Sequence, residues 1–139
     1  RIEYVKVGLK IMKAKPFFGT GPDTVDMEFQ KDKYGLSEEA KQNVHLHSNI
    51  FQIGAERGIP ALMAWLAFLI LAVIDLIKLL KDKKSSVYPL AAGALAAIAG
   101  LFVAGFFEYN FGDSEITTLF LYVLTIPFVA AQLSLRGKE

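Results

Sequence analysis

Apolar residues along this chain follow two patterns. Up to residue 58 they come singly or in pairs among charges; from Ile59 onward they come in long blocks. The first block runs from Ile59 to Leu80, broken only by Asp75 and Lys78 near its end. The second, Pro89 to Phe107, and the third, about Ile116 to Leu135, carry no charge. Each approaches the roughly 20 residues that a helix needs to cross about 30 Å of hydrocarbon. An unpaired backbone group in lipid costs several kcal/mol, so helices are what such blocks predict. The alternative is a water-soluble bundle, but its helices would show a polar face, and these blocks lack one. The expected fold class is all-α: a polytopic helical membrane protein with three transmembrane helices. Residues 59–139 form that region, and residues 1–58 form an extracytoplasmic amphipathic helix and histidine-containing loop.

The connectors set the orientation. Lys78, Lys81, Lys83 and Lys84 face only Asp82 between the first two blocks, whereas Glu108, Asp113 and Glu115 stand without a base between the last two. Basic loops stay in the cytoplasm. Residues 81–87 and the C-terminus are therefore expected inside, and residues 1–58 and 108–115 outside. Span two is rich in small residues, and Gly93 and Gly100 fall near one face. Small residues allow close helix approach in lipid, so this face is expected to pack against other helices. Asp75 can pair with Lys78 three residues on, and reads as a structural charge.

Within the polar segment, Ile2, Val5, Leu9 and Met12 recur at helical spacing, with Lys6, Lys10 and Lys13 on an adjacent face. The pattern predicts an amphipathic helix over residues 2–13, suited either to a headgroup layer or to an ordinary solvated surface. Pro16 ends it, because proline disfavours helix at the preceding residue. Phe17-Phe18-Gly19-Thr20-Gly21-Pro22 then reads as a turn with two apolar plugs. It is not a phosphate loop, since no Gly-Lys-Ser/Thr follows. Residues 23–44 are polar and read as a mobile loop with a short helix around Glu38–Gln42. Ser48 is a candidate N-cap for a helix from Asn49 to about Arg57, on which Gln52 and Glu56 share a face. Gly58-Ile59-Pro60 marks a break before span one.

Charge and cysteine content exclude little but do exclude something. The net charge is +1, which gives no reason to expect a polyanionic partner such as nucleic acid. Cysteine is absent, so there is no disulfide framework, thiolate metal site or thiol nucleophile. The chain starts at Arg1 with neither methionine nor signal peptide, and reads as a C-terminal piece of a longer protein.

The candidate chemistry sits at His45-Leu46-His47-Ser48-Asn49, about ten residues before the first span. Both histidines of the chain are there. At a helix N-terminus the dipole favours neutral imidazole, which can act as a general base. Two other readings stay open. An H-x-H pair could bind a metal with Glu56, Glu108 or Asp113, or the histidines could simply hydrogen-bond at the interface.

In order along the chain, these pieces resemble the O-antigen ligases and related Wzy-type polymerases. Arg1-x-x-Tyr4 and Lys15-Pro16-Phe17-Phe18-Gly19-Thr20-Gly21-Pro22 look like that family's arginine, amphipathic helix and "P-x-x-G-x-G-P" run. His45-Leu46-His47-Ser48-Asn49-Ile50-Phe51-Gln52 and Glu56-Arg57-Gly58-Ile59-Pro60-Ala61 resemble its "H-x-H-N…Q…E-x-G-x-x-G" signature. Phe107 to Glu115 is similar to the segment before the last helix. Ser48 and Ala61 depart from the commoner asparagine and glycine. The resemblance implies an envelope enzyme of lipopolysaccharide biosynthesis in the bacterial inner membrane. It would move a glycan from undecaprenyl pyrophosphate to a sugar hydroxyl, on lipid A-core in ligases or on another lipid-linked unit in polymerases. It implies no metal, cofactor or nucleotide sugar. Carried over, His47 is the general base and Arg1 neutralises the pyrophosphate. His45, Lys6, Lys10, Glu56 and Arg57 assist in substrate binding, with Glu56 holding His47 or Arg57. A non-catalytic subunit that holds a polyprenyl lipid is the reading from a different class.

Overall fold

The computed structural model describes residues 2–31 and 34–136, and over these every regular element is helical. Six helices follow in order: α1 (Ile2–Ala14), α2 (Val25–Phe29), α3 (Glu38–Lys41), α4 (Asn49–Leu79), α5 (Tyr88–Ala104) and α6 (Ser114–Arg136). Arg1 lies outside the described residues.

The apolar blocks are helices, as their composition requires, but they are unequal. α4 and α6, at 31 and 23 residues, are long and apolar enough to cross a membrane. Only 28% and 17% of their most apolar stretches are buried, which leaves Met63, Ile70, Leu71, Leu119 and Leu133 facing outward. α5 is shorter, 17 residues, because the chain leaves the helix at Gly105 rather than at Phe107. One core joins the three: Trp65, Leu69 and Leu76 of α4, Ala91, Ala94 and Ile98 of α5, and Phe120 and Leu124 of α6. Gly93 and Gly100 lie outside that core, and a Cβ on either would meet no described residue within contact distance.

A second core holds the polar segment together, and one expectation changes there. On α1 the buried side is Tyr4, Val7, Gly8 and Ile11, and the Ile2–Val5–Leu9 stripe faces outward. Ile2 and Leu9 are 72% and 52% exposed. The helix is apolar on two sides, and it packs on the one where Gly8 admits Leu46 and Phe51 closely. Residues 23–44, expected to be a loop, contain α2 as well as α3, and Val25 and Phe29 are fully buried against Tyr4 and Ile11. Short apolar anchors among charges hide this from periodicity. Glu28, 3% exposed, is held there by Lys15, Lys31 and the Tyr34 hydroxyl.

The break before the first apolar block is where the two regions join. Gly58 leaves helical geometry, with φ 84° and ψ 170°. The break turns Ile59 N–H away from Ala55 O, and Pro60 has no N–H for Glu56 O, so both carbonyls lose their helical partners. The Pro16–Gly21 turn supplies replacements. Thr20 N–H donates to Ala55 O (2.9 Å), Gly21 N–H to Glu56 O (2.9 Å), and Ile59 N–H to Pro16 O (2.7 Å). The contact is so close that a Cβ on Gly19 would lie 2.3 Å from the Glu56 carbonyl carbon, and one on Gly58 2.2 Å from Phe17 O. Two glycine runs almost 40 residues apart in sequence are thus halves of one joint.

Candidate functional site

His47 stands two residues before α4, and the backbone there is unusual. Its φ is 50°, in the left-handed region that costs a non-glycine residue about 1–2 kcal/mol. Such strain persists only where neighbours fix the residue, and it concentrates at functional sites. Ser48 occupies the N-cap position, but its hydroxyl makes no capping bond and has no partner among the described residues. The work of fixing this corner falls to Asn49, which is 1% exposed. Its N–H donates to Gly105 O (2.8 Å), its Oδ1 accepts from Phe111 N–H (3.0 Å), and its Nδ2 donates to Asn110 Oδ1 (2.8 Å). Those three bonds stitch the α5–α6 connector to the start of α4.

That stitch brings Glu108 to His47. Both carboxylate oxygens lie 3.1 Å from Nδ1. Glu108 also accepts from its neighbour Tyr109 N–H at 3.1 Å. Partial burial acts to raise its pKa, but the bonds from His47 and the Tyr109 N–H outweigh this and hold the carboxyl below its ordinary value. On the other side Nε2 faces Asn43 Oδ1 at 3.3 Å, and Asn43 Nδ2 in turn meets the Tyr4 hydroxyl. The Tyr4 ring packs on the imidazole with centroids 5.4 Å apart. Asn43 Oδ1 facing Nε2 accepts from a ring N–H there; rotating the Asn43 amide by half a turn presents its Nδ2 instead and suits a ring whose Nε2 accepts, with the same heavy-atom positions. The amide can therefore pair with Nε2 in either role.

The remaining candidates divide. His45 does not join His47; its ring meets Tyr109 edge-on at 5.6 Å and lines a cleft of about 360 Å³ with Asp23, Glu108, Asn110 and Asp113. Glu56, 1% exposed, accepts from Gln52 Nε2 at 2.8 Å and faces Arg57 at 3.5 Å. So it holds Arg57 and not His47, a role that Glu108 takes instead. Gln52 passes the order on, since its Oε1 accepts from Leu46 N–H at 2.7 Å. Arg57 also donates to the Tyr109 hydroxyl at 3.0 Å. Lys10 reaches the carbonyl of Tyr34 (3.4 Å), and Lys6 is exposed on α1; neither joins the His47 group. Arg1 lies outside the described residues. No three His, Asp or Glu side chains among the described residues are grouped as metal ligands.

The sequence missed Asn43 and Asn49 as site residues and considered Glu108 only as a metal ligand. The signal for Asn49 was present, a polar residue at the first turn of a helix beside the histidines. The pairing with Glu108 spans 61 residues, and no spacing rule reaches that far.

Comparison with curated proteins and with solved structures gives no match. A family model does match, and its span takes in both glycine runs, both histidines and the first turns beyond Gly58. The family model described as O-antigen ligase matches residues 1–66, and it is the family that the order of motifs resembles.

Proposed function

We propose that this chain belongs to a bacterial envelope glycosyltransferase of the ligase type. α4 from Ile59, α5 and α6 cross the inner membrane, with residues 81–87 and the C-terminus cytoplasmic. At 17 residues α5 spans about 26 Å, the short end of what crosses a bilayer. Residues 1–58 and 108–115 then meet on the outer face, with the exposed Ile2–Val5–Leu9 side of α1 and Lys6 in the headgroup layer.

The observation that carries this reading is the seat of His47. An imidazole is fixed by a carboxylate at one nitrogen and by an exchangeable amide at the other, at the mouth of two membrane-capable helices, inside the family match. With Glu108 accepting from Nδ1–H, Nε2 is the basic nitrogen. A sugar hydroxyl displaces Asn43 there and gives its proton to Nε2 as its oxygen attacks the anomeric carbon of the donor. The bond from that carbon to the pyrophosphate breaks, and undecaprenyl pyrophosphate leaves, its charge met by Arg1. The cleft lined by Asp23, His45, Asn110 and Asp113 offers the hydrogen-bonding groups that an acceptor sugar needs. None of these steps calls for a metal.

The test is His47→Ala in the full-length parent, expressed in a strain lacking the native enzyme, with envelope glycans resolved on a gel. Loss of a general base costs roughly 100- to 10,000-fold, so capped lipid A-core disappears while undecaprenyl-linked polymer accumulates. Glu108→Gln, which keeps shape but not charge, lowers transfer by at least about tenfold. Normal capping by His47→Ala sinks the base assignment and favours a lipid-holding subunit. Loss of long chains altogether indicates a polymerase.

A further inference from the structure

Tyr109 borders two clefts of opposite character. One is the acidic, polar cleft beside His45 and Glu108. The other, about 210 Å³, is lined by Ile53, Arg57, Ala61, Trp65, Tyr109 and Phe111. Its polar groups are all donors. Arg57 uses one nitrogen on the Tyr109 oxygen, which leaves the other guanidinium N–H groups and the Tyr109 hydroxyl proton to donate. Two carboxylates act on Arg57: Glu56, buried behind it and occupied by Gln52, and the exposed Asp23, which lines the other cleft and not this one. Free donors in a lining that holds no carboxylate suit an anion, and a guanidinium is suited to phosphate. The other walls are apolar and aromatic, with Trp65 and Phe111 in edge contact at 5.5 Å. The cleft also has a direction. Arg57 precedes the break at Gly58, whereas Ala61 and Trp65 lie within the first two turns of the apolar run of α4.

We propose that this cleft binds a phosphate-headed lipid, with the phosphate on Arg57 and the Tyr109 hydroxyl and the first carbons of the tail along Trp65, Ala61 and Phe111. A membrane phospholipid and a polyprenyl phosphate share this chemistry. The inference deepens the transferase reading by giving the charged end of a lipid a seat across Tyr109 from the cleft beside His45 and Glu108.

Trp65 is the single tryptophan of the chain, so the site carries its own reporter. The chain in maltoside micelles, which carry no phosphate, is titrated with phosphatidic acid, a polyprenyl monophosphate, the matching polyprenol and inorganic phosphate, and Trp65 emission is followed. At least one of the two lipid phosphates is expected to change the emission saturably, while polyprenol and inorganic phosphate leave it unchanged. Arg57→Gln raises the half-saturating concentration about 10- to 100-fold, the range for losing one charged hydrogen-bonding group. Tyr109→Phe, which keeps the ring, raises it by a smaller factor. Response to phosphatidic acid marks a structural lipid seat, and response to polyprenyl phosphate alone marks a substrate seat; both uphold the proposal. An equal response to polyprenol, saturation by inorganic phosphate, or a wild-type midpoint in both variants overturns it. His47→Ala is expected to bind like wild type here, so failed transfer and failed lipid binding are told apart.

Discussion

The polar segment and the apolar helices both contain paired glycines, yet the two regions use them in opposite ways. At Gly19 and Gly58 the backbone is left-handed, and neighbouring main chain lies where a side chain would be. At Gly93 and Gly100 the backbone is helical and the space is open. The polar segment is held by specific geometry: a joint with no room to spare, a buried carboxylate, an asparagine serving three partners. The helices are held by apolar contact along one side and leave the other sides uncovered. A region of the first kind fails sharply when one atom is added, and a region of the second kind tolerates change.

The largest break in that comparison is Gly58→Ala. The new methyl group meets Phe17 O, and the alanine must adopt φ 84°. Strain and overpacking together cost roughly 3 kcal/mol or more. The joint opens, and the amides of Thr20, Gly21 and Ile59 lose protection in hydrogen exchange while those of Leu69 and Leu76 keep theirs. Unchanged protection at the three joint amides would mean that the two glycine runs do not depend on each other.

How legible these features were in the sequence follows the same division. The apolar blocks were readable because hydropathy is a local property and the membrane imposes a length on it. The break at Gly58 was readable because Gly-Ile-Pro is a local signal, and so was the i, i+4 pair Gln52–Glu56. The partner of that break, the Pro16–Gly21 turn, was visible as a motif but not as a contact, since nothing local says which carbonyls a turn will cap. The buried side of α1 was not visible for a related reason. The helix has two apolar sides, and only the docking of Leu46 and Phe51 on Gly8 decides between them. At the site, the carboxylate that meets His47 is Glu108, 61 residues away, and no local signal pairs the two.

Acid sharpens the contrast at a second point. Burial acts to raise the pKa of Glu28, but hydrogen bonds from Lys31, Tyr34 and Lys15 outweigh it and lower the value to about 2 from an ordinary 4.5. A carboxyl depressed in the folded state stabilises fully above the ordinary value, and that contribution is lost as the pH falls from 4.5 through about 2. The lysines are about half exposed, so after allowing for screening the group contributes roughly 2 kcal/mol. Lowering the pH through this window is expected to unfold the second core before the apolar helices, seen as loss of exchange protection at Val25 and Phe29. Glu28→Gln lowers the stability of that core at neutral pH by about the same amount and flattens its dependence below pH 4.5. An acid transition of equal steepness in the variant would assign it to other carboxylates.

The smallest effect is the most discriminating about what the open helix face meets. In this chain a methyl group at Gly93 or Gly100 touches nothing, and replacing glycine within a helix by alanine gains about 0.5–1 kcal/mol in helix stability. Gly93→Ala and Gly100→Ala together are therefore expected to raise the unfolding midpoint of the chain in detergent slightly. In the full-length parent the expectation reverses if the small-residue face of α5 packs on further helices, because close backbone approach is what small residues permit in lipid. There the same pair of methyl groups would force the helices apart and lower the midpoint. A gain in both settings would show that this face meets lipid, and that the openness of the second region belongs to the assembled protein as well.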